Sequence, residues 1–307
     1  MPVDFTKHAF FEGKNVLLSD AKISIATHGF LYGTAVFGGM RAYWNEEKQR
    51  LFVFRPYDHL HRLLNSGKMM AMKIPYDEEN LIQLTVDLLR LDNWKQDLYL
   101  RPTIYKADTG IGVRLHDLKD EFCMFVMAYE PYVKNDTNAH VTVSSWRRID
   151  DNVIPARGKI AGAYANSALA KTDANLAGFD EAVVLDSHGH VSEGSAMNIF
   201  IVRDGVLITP PITDNILEGI TRRSIIELAR KELGLDVVER SIDRTEVFIA
   251  DEMFMTGTAA QVVAVTRVDH RPVGTGSMGP VTTKLRTMFD DVVRAKNPKY
   301  SSWNVEV

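Results

Sequence analysis

The chain has 307 residues, 45% of them hydrophobic and 25% charged, with a formal net charge of −4 at pH 7. This is ordinary globular composition with room for two domains, and nothing in the charge balance favours nucleic acid or an anionic membrane as partner. A single cysteine, Cys123, excludes a disulfide framework. With no apolar run long enough to span a bilayer and no charged-then-apolar leader, a soluble cytoplasmic protein is expected.

Ala21–Ile25 alternates like a short strand. From Thr27 to Tyr43, four glycines (Gly29, Gly33, Gly38, Gly39) mix with Phe30, Tyr32, Phe37 and Tyr43. Such runs form bent strands, and together these residues suit the wall of a small apolar pocket. His28 reads as a structural hydrogen-bonder, since no second metal-type residue sits at useful spacing. Trp44–Phe54 predicts a hairpin turning at Asn45–Lys48. Leu60, Leu63 and Leu64 then share one helical face. Arg62 falls off that stripe, and spacing alone makes it a solvated arginine. Glu78–Leu91 repeats the amphipathic pattern. Leu98–Tyr105 alternates as a strand with Tyr99, Arg101 and Thr103 on one face. An arginine beside a tyrosine hydroxyl suits an amino-acid or keto-acid carboxylate, a cross-strand ion pair being the plainer alternative. Thr109–Val113 is a loop. Glu121–Glu130 is a near-continuous apolar strand in which Cys123 reads as a buried structural thiol. The polar stretch Lys134–Asn138 marks a boundary. The expected division is a small domain over 1–133, a linker over 134–139 and a larger domain over 140–307.

His140–Trp146 predicts a strand. The stretch Arg157-Gly158-Lys159-Ile160-Ala161-Gly162-Ala163-Tyr164 then places a lysine at a strand end between two glycines. Most lysines are solvated, but Ile154, Pro155, Ala156, Ile160 and Ala161 are poor company for a solvated amine. An amine held in an apolar pocket has a lowered pKa and attacks carbonyls to form a Schiff base. Tyr164–Ala177 predicts a helix closed by Gly178. Glu181–Asp186 is a strand ending in the turn Ser187–His190, and the stretch Val191–Val202 follows. Glu193, beside small residues, is a carboxylate able to approach a flat heterocycle and keep a ring nitrogen protonated. Asp204-Gly205 is a hairpin turn. The loop Thr209–Gly219 opens a helix from about Thr221 to Leu233, whose first N–H groups would seat a phosphate. Glu252–Thr256 meets Gly257-Thr258-Ala259-Ala260, a second turn suited to an anion. Gly274–Gly279 matches dinucleotide-fingerprint spacing but lies too near the C-terminus to be one, and reads as a turn before a helix starting at Pro280. No His-Glu-x-x-His pair or Walker loop is present, and no metal is expected.

Glu193-Gly194-Ser195-Ala196-Met197-Asn198-Ile199-Phe200, followed by Leu207-Ile208-Thr209 and Leu217-Glu218-Gly219-Ile220-Thr221-Arg222, resembles the signature of class IV pyridoxal-phosphate aminotransferases. His28-Gly29 to Arg41, Tyr99-Leu100-Arg101-Pro102 and Gly257-Thr258-Ala259-Ala260 resemble the branched-chain amino-acid aminotransferase group in particular. The resemblance covers nearly the whole chain. It implies a two-domain α+β fold of type IV, like that of D-amino-acid aminotransferase, with pyridoxal 5'-phosphate as cofactor. It assigns Lys159 as the lysine that carries the cofactor and the proton. It places Glu193 on the pyridine nitrogen, Tyr164 on the ring hydroxyl and Leu217 on the ring face. Arg62, Ile220, Thr221 and Thr258 would hold the phosphate. Tyr99, Thr258 and Ala259 would take the substrate α-carboxylate, and Arg101 the side-chain carboxylate of glutamate. Tyr32, Phe37 and Arg41 would line the substrate pocket, with Tyr32 supplied by the second subunit of a homodimer. Gly38 stands where the family often has glutamate, and Tyr132 is taken as the substrate-facing aromatic of the 129–138 segment.

The implied reaction exchanges the amino group of a branched-chain L-amino acid with 2-oxoglutarate. Readings within the same fold are a D-amino-acid or (R)-amine transaminase and an aminodeoxychorismate lyase. A non-catalytic binding module is the reading from another class, and an intact Lys159, Glu193 and Arg62 argue against it.

Overall fold

The computed structural model describes residues 3–131 and 133–307, so Tyr132 lies outside the described residues. In chain order the elements are β1 (His8–Phe11), β2 (Lys14–Leu17), α1 (His28–Tyr32), β3 (Ala35–Phe37), β4 (Met40–Asn45), β5 (Arg50–Phe54), α2 (Pro56–Met69), α3 (Glu78–Leu91), β6 (Leu98–Lys106) and β7 (Asp120–Ala128). There follow β8 (Ala139–Arg147), α4 (Tyr164–Leu176), β9 (Glu181–Leu185), β10 (Val191–Gly194), β11 (Asn198–Arg203), β12 (Val206–Thr209), α5 (Ile220–Leu233) and β13 (Val237–Glu239). The chain continues with β14 (Glu252–Gly257), β15 (Gln261–Val268), β16 (Arg271–Pro272), α6 (Pro280–Val293) and β17 (Asn304–Glu306).

These elements form two compact units. One comprises Met1–Glu130, Gly158–Ala163 and Asp291–Val307; the other comprises Pro131–Arg157 and Tyr164–Asp290. Lys159, expected with residues 140–307, packs with the first unit, where it is tied to residues 37 and 66.

The first unit is built on a sheet of order β17-β5-β4-β6-β7-β1-β2, with β3 paired to β6. Its pairs are antiparallel. The register sets Arg41 opposite Tyr99 and Phe37 opposite Thr103, which brings the glycine-rich run alongside the Tyr99–Thr103 face. On α2 and α3, Leu60, Leu63, Leu81, Leu88 and Leu89 are buried, each such side chain contributing roughly 1.5–3 kcal/mol of transfer free energy. The α3 start is closed reciprocally by Asp77 and Asn80, a capping box that satisfies two otherwise orphaned N–H groups.

The second unit is built on a sheet of order β10-β9-β8-β15-β14-β11-β12-β13, with β16 on β15. Strands β9 and β15 pair parallel to β8. One face is filled by Ile199, Ile201, Met253, Met255, Val263 and Val265. On α4, Ala170 and Ala174 pack against Ala182 and Val184, where small side chains let the helix lie close to the sheet.

Two expectations fail locally. Ala21–Ile25 is not a strand, because Ser24 captures the N–H groups of Ala26 and Thr27 and turns the chain. The run after Thr27 is not wholly extended either. It opens with the single-turn α1, which Gly33 ends at φ +65°.

Cys123 sits on β7, where burial foremost, and then the Glu121 carboxylate, push its thiol up to about 12. The native protein is therefore expected to react with a disulfide reagent at pH 8 about a thousandfold more slowly than the urea-unfolded chain, since thiolate is the attacking species. Cys123 is half-buried rather than fully buried, and equal rates in the two states would contradict a protected thiol.

Candidate active site

Lys159 lies in an irregular segment rather than at a strand end; only Ile160 makes a bridge, to Val36. Its backbone is fixed from both sides. The Lys159 N–H donates to Ser66 Oγ at 3.1 Å, and the Phe37 N–H donates to the Lys159 carbonyl at 3.0 Å. Ser66 is fully buried on α2, and its hydroxyl donates in turn to the Arg62 carbonyl at 2.8 Å. One hydroxyl thus connects the helix carrying Arg62 to the lysine segment. The Lys159 segment is approached closely by Gly33. A Cβ on Gly33 would lie 2.8 Å from the Gly162 Cα, and φ at Gly33 is left-handed.

The Lys159 side chain reaches over the Phe37 ring, with Nζ 5.1 Å from the ring centroid. The Arg101 guanidinium stacks over the same ring at 4.5 Å and donates to the Tyr99 hydroxyl at 3.2 Å. Arg101 Nε is buried without a hydrogen-bond partner, a donor left for a group the chain does not supply. Gly39 makes room for the phenol: a Cβ there would overlap the Tyr99 hydroxyl. Lys159, Phe37, Tyr99 and Arg101 therefore form one cluster of an amine, a hydroxyl and a guanidinium around an aromatic floor.

Two predicted pocket residues are engaged elsewhere. Tyr32 takes a hydrogen bond from the Gly112 N–H at 3.1 Å and packs its ring 4.7 Å from that of His28. Arg41 is buried between the rings of Tyr43 (4.2 Å) and Tyr129 (3.4 Å) and donates to Asp97 at 3.1 Å. Tyr129, on which Arg41 stacks, is an aromatic of the 129–138 segment that sequence reasoning passed over in favour of Tyr132. His28 is the structural hydrogen-bonder expected, joined to Thr34 Oγ1 at 2.7 Å and to the Gly112 carbonyl at 2.9 Å.

In the second unit the focus is Glu193, buried on β10. Arg148 Nη2 meets Oε1 at 3.0 Å. The Leu217 N–H and Asn198 Nδ2 donate to Oε2 at 3.1 and 3.2 Å. Three converging donors, one of them cationic, suit a carboxylate. Arg148 also donates to the Asn215 carbonyl at 3.1 Å, so it anchors the loop that contacts Glu193. Sequence reasoning missed Arg148 and Ser66, because each acts through a contact distant in the chain, and gave no role to Asn198, although it lies within the quoted signature five residues from Glu193.

The same loop ends at Gly219, where a Cβ would overlap Asn198 Oδ1. Helix α5 then begins with Ile220 and Thr221, both buried, and no side chain caps its N–H groups. A 14-residue helix with an uncapped start offers a seat for phosphate. Thr258 and Ala259 lie half-buried in the turn between β14 and β15. Leu217 and Tyr164 are half-buried as well, the latter opening α4. Each unit carries groups that suit part of a phosphorylated pyridine: the first a side-chain amine at Lys159, the second a buried carboxylate at Glu193 and a glycine-led helix start.

The model of the amino-transferase class IV family matches residues 35–268. The chain is 46% identical over 295 residues to the probable branched-chain-amino-acid aminotransferase of Aquifex aeolicus, covering 96% of this chain and 95% of that one. It is 39% identical to the branched-chain-amino-acid aminotransferase of Pseudomonas aeruginosa, covering 97% and 96%. Among solved structures, the branched-chain aminotransferase of Thermoproteus uzoniensis with norvaline superposes with a TM-score of 0.93 at 38% identity, covering 98% of this chain and 99% of that one. The branched-chain amino acid aminotransferase of Thermobaculum terrenum in its PLP form gives 0.93 at 34% identity, covering 98% of each. A buried, three-donor Glu193 within the matched signature, and likeness along nearly the full length, lead to one conclusion: the chain belongs to the class IV aminotransferases.

Proposed function

We propose that this protein is a branched-chain-amino-acid transaminase, exchanging the amino group of leucine, isoleucine or valine with 2-oxoglutarate. The relatives it matches carry that name, which favours this reading over a D-amino-acid or (R)-amine transaminase or a lyase. The observation that carries it in the structure is the cluster around Phe37, where a reactive amine stands with a hydroxyl and a guanidinium suited to a carboxylate.

Pyridoxal 5'-phosphate supplies an electron sink for negative charge at the substrate α-carbon. Lys159 Nζ would hold the cofactor and, when free, would move the proton at the α-carbon. Glu193 would hold a proton on the ring nitrogen, and Arg148 would fix that carboxylate in place through its 3.0 Å contact. Ile220, Thr221 and Thr258 would hold the phosphate, a role that the resemblance also gives to Arg62; Leu217 and Tyr164 would orient the ring. Tyr99 and the Thr258–Ala259 backbone take the α-carboxylate, Arg101 the second carboxylate of glutamate, and Phe37 the branched side chain. Arg41 shapes this pocket through its stack on Tyr129. The test is a single-turnover reaction of the yellow holoenzyme with L-leucine, D-alanine or (R)-1-phenylethylamine, followed by loss of the cofactor band. L-leucine is expected to discharge it fastest. Conversion by D-alanine but not by L-leucine would overturn the substrate assignment.

We further propose that the working form is a cytoplasmic homodimer. Ile25, Phe30, Ile111 and Val113 are all exposed, an unusual density of large apolar side chains around Tyr32 and its Gly112 partner. A second copy covering them would also let Tyr32 serve the neighbouring pocket. Sedimentation equilibrium is expected to give twice the 34.6 kDa chain mass, and Ile111→Asp with Val113→Asp to shift it toward that of one chain. A single-chain mass for the unsubstituted protein would remove the proposal.

A further inference from the structure

We propose a divalent transition-metal site, with zinc as its best fit, formed by Asp186, His190 and Asp214 and separate from the residues assigned to the cofactor. Asp186 ends β9, His190 closes the turn leading into β10, and Asp214 lies in the loop after β12. One ligand atom from each residue lies within 4.8 Å of the other two. Asp186 and Asp214 are 2% and 7% exposed, so both carboxylates have been taken out of water. Isolated buried carboxylates are costly and call for a partner. Yet among the described residues neither is paired with a lysine or arginine, and Asp214 Oδ2 is buried with no hydrogen-bond partner at all. One Asp186 oxygen is occupied by the His188 and His190 N–H groups at 2.9 Å. The other faces His190 Nδ1 at 3.9 Å, too far for a hydrogen bond but a natural spacing for two atoms sharing an ion.

The chemistry selects the ion. Two carboxylates and an imidazole form a mixed oxygen and nitrogen set, suited to zinc rather than to calcium or magnesium. Ligand atoms around a tetrahedral zinc sit about 3.4 Å apart, so the three atoms, now within 4.8 Å of one another, would close on an ion by side-chain shifts of about 1.4 Å or less. Its far nitrogen, Nε2, lies 3.5 Å from Asp243 Oδ1, the carboxylate contact that orients metal-bound histidines. A fourth position is left for water.

The ion would also tie down the loop that touches Glu193. The Asp214 carbonyl accepts from Ser192 Oγ at 2.6 Å, next to Glu193, and the Leu217 N–H three residues on donates to Glu193 itself. A metal at Asp214 therefore clamps the loop to the strand that carries the carboxylate. This inference does not depend on the reaction assigned above.

The test uses the holoenzyme, stripped with EDTA, dialysed and titrated with zinc chloride. One zinc per chain is expected to survive gel filtration and to raise the thermal midpoint. Asp214→Asn and His190→Gln should each weaken binding at least tenfold. Without metal the order should reverse, with Asp214→Asn at least as stable as the unsubstituted protein, because the substitution removes an uncompensated buried charge. If Asp214→Asn does not fold, His190→Gln, at a half-exposed position, carries the comparison. The proposal fails if the unsubstituted protein retains no zinc, or if the substituted proteins retain it equally well.

Discussion

Lys159→Ala is expected to lower kcat/KM for L-leucine by at least about ten-thousand-fold, ~5 kcal/mol of transition-state stabilisation. The loss is large because the proposed role gives one amine two tasks, carrying the cofactor and moving the α-proton. The fold should survive. The segment is held through its backbone, by Ser66 Oγ and the Phe37 N–H, so truncating the side chain leaves those bonds in place. The variant should therefore unfold in urea near the original midpoint while losing the absorbance fixed by borohydride. Activity within tenfold of the original enzyme would show that another group does the chemistry.

Glu193→Gln is expected to reduce kcat by about a hundred- to a thousandfold, since the amide cannot hold a proton on the ring nitrogen as a carboxylate does. It should also destabilise the fold. Arg148, whose side chain is 11% exposed, would lose its counter-charge and remain buried, a change that costs about 3–5 kcal/mol. The two effects separate in a second variant. Arg148→Met combined with Glu193→Gln should recover much of the stability, because the stranded charge is gone, and none of the kcat. Stopped-flow half-reactions beside urea melts measure both. Recovery of kcat in the double variant would mean that Glu193 acts only through stability.

Where the chain states its own boundaries, sequence reading found them. Helix α3 spans Glu78–Leu91 as its amphipathic pattern indicates, and the structure adds a capping box of Asp77 and Asn80 at its start. Helix α5 ended where expected because Gly234 adopts the left-handed conformation at φ +61°. The hairpin at Asp204-Gly205 was equally plain, both residues having positive φ. Illegible features depend on contacts distant in sequence. Arg62 looked solvated from its helical phase, and nothing near it in the chain shows that Ser66 links its turn to Lys159. Arg148 sits at the end of a strand and gains meaning only from Glu193, 45 positions later. Ala21–Ile25 misled because alternation says nothing about whether a serine will seize the backbone first. The roles proposed for the site residues come from the family resemblance along the chain; the individual periodicities could not have supplied them.

The first unit is assembled from three separated stretches, the last of them Asp291–Val307, whose β17 pairs with β5. A nascent chain emerging from the ribosome thus holds an unfinished sheet edge through most of translation. Residues near position 50 must wait for partners some 250 positions later, a loop closure that slows the final step and leaves a strand open to mispairing with neighbouring chains. Removing the C-terminal tail to tidy an expression vector should therefore send the product to inclusion bodies, although every reactive group would still be encoded.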